Sequence, residues 1–483
     1  MIFNSLTFLI FLGFTLLFYY RLPFRAQNIF LLGASYLFYG WWDYRFLFLL
    51  FFTSAFDYFC ALLIEKQTDR TKRRWLLTFS MVSNMGVLCA FKYFNFFADG
   101  LAALLHAFGM KASLPVLHVI LPVGISFYTF LSMSYTIDVY RGEMKATKDP
   151  VAFLLFVSFF PHLVAGPIVR ASFLLPQCEA PRIVRSGEVW TGLWLMLVGY
   201  LKKVVIADRL ATFVDWGFAH HGVPLFQDAN SWLVLYAFAF QIYGDFAGYS
   251  DIARGLAKIM GFELPVNFRA PYLVTNPSDF WRHWHITLST WLRDYLYIPL
   301  GGNRRGQTRT YVNLMTVMVL GGLWHGAALA YVFWGAYQGL LLVIHRGWSH
   351  LWNSFRGVNF GKRANFFCRK LGHALLVIFF FHLICMGWLL FRAGSVPGVD
   401  QFHSITSYLR AMGNFHLIQG VSAYAWPVFL LGALGLLLQS KCEAMDEFDE
   451  WPVHRQVIAA TAALAAIAAF GVFEGAQFIY FQF

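Results

Sequence analysis

The stretch from Tyr311 to Ile344 holds 34 residues and not one Asp, Glu, Lys or Arg. As one straight helix it would be about 51 Å long, at about 1.5 Å per residue. A bilayer's hydrocarbon core is only about 30 Å thick. Such a stretch has to bend, unwind or turn back, and Gly321, Gly322 and Gly326 place the break around His325. Broken backbone survives in lipid only where protein or water satisfies its polar groups, so an ionisable residue there is a functional candidate. The stretch by itself leaves a second reading open, a core histidine bonded to a nearby carbonyl.

The rest of the chain belongs to the same physical class. It is 59% hydrophobic and 13% charged, with 54 Phe and a mean hydropathy of +0.56, which places it among all-α polytopic membrane proteins. Candidate spans are Ile2–Tyr20, Ile29–Trp42, Phe46–Ile64, Trp75–Phe97, Val116–Tyr140, Val151–Ile168, Val189–Ala207 and Trp232–Phe246. After the stretch around His325 come Leu375–Phe391, Ala425–Leu438 and Val457–Phe473. That predicts roughly eleven to thirteen crossings or re-entrant segments, at about 20 apolar residues per crossing. No internal repeat or separate soluble domain is visible, so residues 1–483 are expected to form a single membrane domain.

Charge sets the orientation. The first apolar segment has no basic n-region and no small-residue cleavage site, unlike a signal peptide. Arg21 and Arg25 follow span one, Lys66 to Arg74 carry five basic residues after span three, and Arg141, Lys145 and Lys148 follow span five. The positive-inside rule makes these loops cytoplasmic and the N-terminus extracytoplasmic. The net charge of +12 thus needs no nucleic-acid partner. The six cysteines form no CxxC pair and read as small packing residues, with no disulfide framework or zinc site.

Polar residues interrupt the apolar pattern in a few places. Phe246 to Gly306 mixes Asp251, Arg254, Lys258, Arg269, Asp279, Arg282, His283, His285, Arg293 and Asp294 with aromatics. It is too polar for a lipid-facing span and too apolar for a solvated loop, which predicts interfacial or re-entrant helices. Trp348–Lys370 reads as a basic cytoplasmic loop, and Lys441–Arg455 as an acidic solvated connection. Asp245, at the end of an apolar run, requires a basic or hydroxyl partner, because an unpaired carboxylate there is costly.

Within the polar segment, Ser278 or Asp279 would cap a helix that carries both His283 and His285. Two residues apart they sit about 200° around a helix, so only one can point inward. On that wheel His285 shares a stripe with Ser289 and Leu292. No HExxH, GxSxG elbow or P-loop is present, which weighs against a zinc site, an ordinary serine hydrolase and a nucleotide-binding loop. Gly301-Gly302-Asn-Arg304-Arg305 reads as a polar turn, or else a phosphate contact for an anionic donor. Pro161-His162-Leu-Val-Ala-Gly166-Pro167 and Leu121-Pro122-Val-Gly124 read first as helix kinks.

Five strings occur in order: LPVGISFYTF (Leu121–Phe130), FPHLVAGPI (Phe160–Ile168), YGDFAGYSDIA (Tyr243–Ala253), NPSDFWRHWHITLSTWLRDYLYIPLGG (Asn276–Gly302) and GLWHG (Gly322–Gly326). Together they resemble the membrane-bound O-acyltransferase (MBOAT) family over about residues 121–344, nearest to its bacterial polysaccharide branch. That branch includes members for alginate O-acetylation and for teichoic-acid D-alanylation. The family's invariant histidine falls on His325 and its second histidine on His285. His283 stands where relatives often have arginine and is left out of the pair.

The resemblance implies tilted helices around a thin centre, with a tunnel where a cytoplasmic acyl donor meets an extracytoplasmic acceptor. It implies an O-acetyltransferase of the bacterial inner membrane that takes acetyl from a thioester, with acetyl-coenzyme A as the donor and no tightly bound cofactor. The acceptor would be a hydroxyl on an exported polysaccharide, alginate-like in the favoured case, or on a periplasmic SGNH-type partner protein. His325 would act as base or acyl carrier, and His285 would bond the thioester carbonyl or position the acceptor. Asp245, Arg282 and Asp294 are lesser candidates for orienting the helix breaks. Two alternatives differ in what they require. D-alanyl transfer needs a carrier-protein thioester, whereas a polymer transporter would need paired carboxylates and repeat symmetry that the sequence lacks.

Overall fold

The computed structural model describes residues 1–110, 116–117, 120–219, 229–355, 366–394, 401–413, 425–473 and 478–479. Helices make up its regular structure, and no strand occurs among the described residues. In chain order they begin with α1 (Leu6–Tyr19), α2 (Phe24–Gly40), α3 (Arg45–Lys66), α4 (Arg70–Leu88), α5 (Phe94–Ala107), α6 (Ile125–Arg141), α7 (Pro150–Ser158) and α8 (Ala171–Glu179). Next come α9 (Ser186–Tyr200), α10 (Asp208–Ala219), α11 (Ala229–Ile259), α12 (Pro277–His283), α13 (Ile286–Leu292), α14 (Gln307–His325) and α15 (Leu329–Phe355). The last are α16 (Phe366–Gly394), α17 (Gln401–Gly413), α18 (Ala425–Ser440), α19 (Cys442–Met445) and α20 (Val453–Phe470).

Among the described residues, five helical runs are long and apolar enough to cross a bilayer: Arg45–Lys66, Arg70–Ala107, Ser186–Phe218, Lys370–Ala393 and Val453–Phe470. Leu6–Tyr19 and Trp426–Ser440 are shorter apolar helices. Short π-helical segments, Cys89–Tyr93 and Leu201–Ala207, carry α4 into α5 and α9 into α10, so two of the runs are longer than the sequence pattern predicts.

The chain divides into two compact units, and the division falls inside α9 and α11. The first comprises Met1–Met196 and Tyr249–Pro265. There α3, α4 and α6 pack together, as do α2, α7 and α8. Asp57, fully buried in α3, accepts hydrogen bonds from Ser80 Oγ at 2.6 Å and from Asn84 Nδ2 at 2.8 Å, so two α4 side chains satisfy a carboxylate in a span. Two sequence expectations change here. Gly124, at φ 76°, starts α6 instead of kinking it; a Cβ there would stand 2.8 Å from the Leu163 carbonyl oxygen. The expected span Val151–Ile168 is cut short, because α7 ends at Ser158 and the chain then turns. His162 in that turn is fully buried, with Nε2 3.1 Å from the Phe156 carbonyl oxygen, a packed histidine in a local bond.

The second unit comprises Leu197–Gly248 and Val266–Phe483. Its centre is an antiparallel hairpin of α14 and α15. The charge-free stretch does turn back, with α14 ending on His325 and α15 starting at Leu329. Gly322 and Gly335 let the two backbones touch: a Cβ on Gly322 would overlap the Tyr331 carbonyl oxygen and lie 3.0 Å from Gly335 Cα. The apolar run expected to end at Phe246 continues as one 31-residue helix to Ile259, so the start of the supposed re-entrant segment is the second half of α11. The acids that signalled an end are housed within the helix. The basic segment Trp348–Lys370 lies partly outside the described residues.

Candidate active site

His325 is the last residue of α14 and is 4% exposed. Three rings enclose it, all near edge-on: Trp324 at 4.9 Å between centroids, Trp334 at 5.1 Å and Phe391 at 5.3 Å. Each comes from a different turn of the second unit. Trp324 precedes the histidine, Trp334 lies on the returning helix α15, and Phe391 lies on α16. The hairpin turn is tight because Gly326 leaves its Cβ position to the Tyr331 ring.

His285 is fully buried and sits outside any helix. The single helix expected through His283 and His285 is broken: α12 ends at His283, and α13 begins at Ile286. Between them His285 adopts the left-handed conformation, φ 42° and ψ 54°, which non-glycine residues seldom occupy. The stripe with Ser289 and Leu292 therefore does not exist. Nor does the expected cap: Asn276 caps α12, accepting from the Asp279 N–H at 2.9 Å.

Asn267 holds this break in place. Its carbonyl oxygen accepts the Ile286 N–H at 2.9 Å, its Oδ1 accepts the Thr287 hydroxyl at 2.9 Å, and the Arg269 N–H donates to the His283 carbonyl oxygen at 3.0 Å. The backbone on both sides of His285 is pinned, which is what a strained dihedral needs in order to persist. His283 turns the other way and bonds the Asp279 carbonyl through Nδ1 at 2.7 Å.

The His285 ring packs against Phe246 at 4.6 Å and Trp324 at 6.0 Å. Neither of its nitrogens has a hydrogen-bond partner among the described residues. Buried polar atoms are nearly always paired, so both imidazole nitrogens are open to a hydrogen bond from a ligand or a water. Trp324 contacts both histidines, and thus the two predicted site residues are brought to one aromatic wall.

Asp245 finds the basic partner that its position demanded. Lys203 Nζ lies 2.7 Å from its Oδ1 and 2.8 Å from Asp208 Oδ1, and all three residues are buried. The other Asp245 oxygen accepts the Ile479 N–H at 2.6 Å. This fastens the segment whose Phe478 ring stands 5.9 Å from Phe246, the ring under His285. Asp245 thus fastens a segment that packs beside the Phe246 ring. Arg282 and Asp294 do not join it: Arg282 is largely exposed and pairs with Asp279, and Asp294 pairs with its neighbour Arg293. Gly301 and Gly302, at φ 110° and 54°, form a turn held by Asn313 Nδ2 on the Gly302 carbonyl oxygen, with Arg304 and Arg305 exposed.

Sequence reasoning missed Asn267 and Lys203. Each is a polar residue in an apolar run, which is the available signal, but only the fold shows what it holds. Among the described residues no group of three His, Cys, Asp or Glu side chains is placed to hold a metal ion.

Comparison with known proteins identifies the family. Residues 143–390 match the family described as MBOAT, membrane-bound O-acyltransferase. The chain is 44% identical to a protein named "probable alginate O-acetylase" from Pseudomonas aeruginosa, over 81% of this chain and 72% of that protein. It is 33% identical to a peptidoglycan O-acetyltransferase from Helicobacter pylori over 98% and 94% of the two chains. A teichoic acid D-alanyltransferase from Bacillus subtilis is 26% identical over 56% of this chain and 68% of that protein. These similarities, together with the helical architecture, lead to a single assignment: the chain belongs to the membrane-bound O-acyltransferase family.

Proposed function

We propose that this protein O-acetylates an exported polysaccharide, with alginate-like exopolysaccharide as the favoured acceptor, using acetyl-coenzyme A as donor from the cytoplasm. The observation that carries the reading is His285, a fully buried imidazole with neither nitrogen engaged, on the wall that also holds His325. In this reading His325 takes the proton of the accepting hydroxyl as its oxygen attacks the thioester carbonyl. His285 donates a hydrogen bond to the carbonyl oxygen as negative charge develops there, which is the role of an oxyanion donor. The C–S bond then breaks, and the proton held by His325 passes to the leaving thiolate. The surrounding indole and phenyl rings exclude water that would otherwise hydrolyse the thioester.

In this reading the residues form one domain of the bacterial inner membrane. The N-terminus is extracytoplasmic, and the basic loops after α1, α3 and α6 face the cytoplasm, where the donor is. The modified hydroxyl belongs to the polymer or to a periplasmic SGNH-type acetyltransferase partner. D-alanyl transfer from a carrier protein is the alternative, and the relatives bearing that name are the more distant ones.

The test is to make His325→Ala and His285→Ala, measure their membrane levels, and quantify acetyl groups on the exported polymer. Both variants should accumulate normally and export unacetylated polymer. Full acetylation in either variant at a normal level removes that histidine from the chemistry.

A further inference from the structure

Gln338 on α15 is completely buried, and neither its amide nitrogen nor its carbonyl oxygen has a hydrogen-bond partner among the described residues. It lies one turn beyond Trp334 on the same face of the helix. The indole N–H of Trp334 is buried without a partner as well, and so is that of Trp281, whose ring is 5.9 Å from Trp334. The amide sits where α16 has no side chain: a Cβ on Gly387 would stand 2.7 Å from Gln338 Nε2. Burying an unmet donor or acceptor is costly, and an apolar side chain of the same shape would avoid that cost. Packing alone therefore does not account for a glutamine in this aromatic wall.

The chemistry of the idle atoms defines what would satisfy them. A carboxamide offers donors and an acceptor together, and the two indoles offer donors only. A carboxylate or phosphate would use the donors and face the glutamine oxygen repulsively, while a hydrocarbon chain would use none of them. A secondary amide, with one N–H and one carbonyl oxygen, uses both halves. Four residues of helix rise about 6 Å, so Gln338 is set back from the Trp334–His325 contact by about the reach of a sulfur and two methylenes.

We propose that Gln338, with the indole N–H groups of Trp334 and Trp281, binds a secondary amide in the arm of the thioester donor. Such an arm is pantetheine-like, as in a coenzyme or in a carrier protein's prosthetic group. The proposal rests on the thioester reading above and adds the residue that recognises the arm. It makes Gln338 a binding residue that sets how deeply the donor enters before its carbonyl carbon meets the histidines.

Gln338→Met keeps length and shape and removes every hydrogen bond. Wild type and variant would be reconstituted in nanodiscs, and binding of acetyl-coenzyme A and of an acetylated carrier protein measured. Thioester consumption would be followed with acetyl-coenzyme A and with ethyl thioacetate, which has no amide. The variant should bind at least one amide-bearing donor about tenfold more weakly, and the donor affected identifies the source of the arm. Its loss of rate on acetyl-coenzyme A should exceed its loss on ethyl thioacetate by about the same factor. Unchanged binding of both donors, or equal loss with and without the amide, overturns the role of Gln338 and leaves the histidine assignment standing. If wild type binds neither donor, the thioester reading fails and this inference goes with it. Should Gln338→Met not accumulate, Gln338→Leu, which also removes both halves of the amide, is read by the same comparison.

Discussion

Gly322 and Gly335 face each other across the α14–α15 hairpin with nothing but backbone between them. Substituting Gly322→Ala would drive a methyl group into the Tyr331 carbonyl oxygen and to 3.0 Å from Gly335 Cα. Overpacking of this kind costs about 1–3 kcal/mol. The variant should have a lower melting temperature in detergent and reduced acetylation, whereas Gly13→Ala, with open space around it, should match wild type in both measurements.

The left-handed backbone at His285 makes two substitutions differ for reasons other than chemistry. Asparagine tolerates this conformation, while a β-branched residue is strongly disfavoured in it. His285→Asn should therefore reach normal membrane levels and lose acetylation. His285→Val should lose both. Equal levels of the two variants, measured by quantitative immunoblotting, would contradict the argument.

Asn267 controls the same break from a distance. Asn267→Ala strips the Thr287 hydroxyl and N–H of their side-chain acceptor, at about 1–3 kcal/mol per buried group left unmet. The backbone bonds that flank His285 remain, but the start of α13 beside it loses its side-chain restraint. With His285 in its proposed role, acetylation is expected to fall at least tenfold, since small misplacements of a reacting group are expensive. Thr287→Val, which removes only the hydroxyl, should fall between Asn267→Ala and wild type.

Lys203 neutralises two buried carboxylates, and Asp245 is only one of them. Lys203→Met should therefore destabilise more than Asp245→Asn, by about 3–5 kcal/mol for a buried charge that loses its partner. Thermal unfolding of the purified variants gives the order. A double variant Lys203→Met, Asp245→Asn less damaged than Lys203→Met alone would show that the stranded charge is the cause.

Those predictions follow from features of unequal visibility in the sequence. The turn at His325 was legible because a charge-free stretch longer than a bilayer and marked by glycines has few ways to fold. Asp245 announced that it needed a partner, but nothing in the chain nominates Lys203, 42 residues earlier, because helix packing decides who meets whom. His285 was misjudged for a different reason. A helical wheel assumes that a helix continues, and here a local cost in backbone strain is offset by hydrogen bonds from Asn267, a residue with no sequence pattern of its own. The idle atoms of Gln338 were invisible for the same reason, since an unmet hydrogen bond is a property of surroundings.

A hairpin that turns at His325 also settles a matter of parity. However deep its tip lies, α15 leaves by the face through which α14 entered, so the pair contributes no net crossing. Reporter tags placed at Gly306 and Leu351, on either side of it, must report one compartment. A tag inserted near Ala328 would report how far a residue stationed at the tip has been carried toward the opposite solvent.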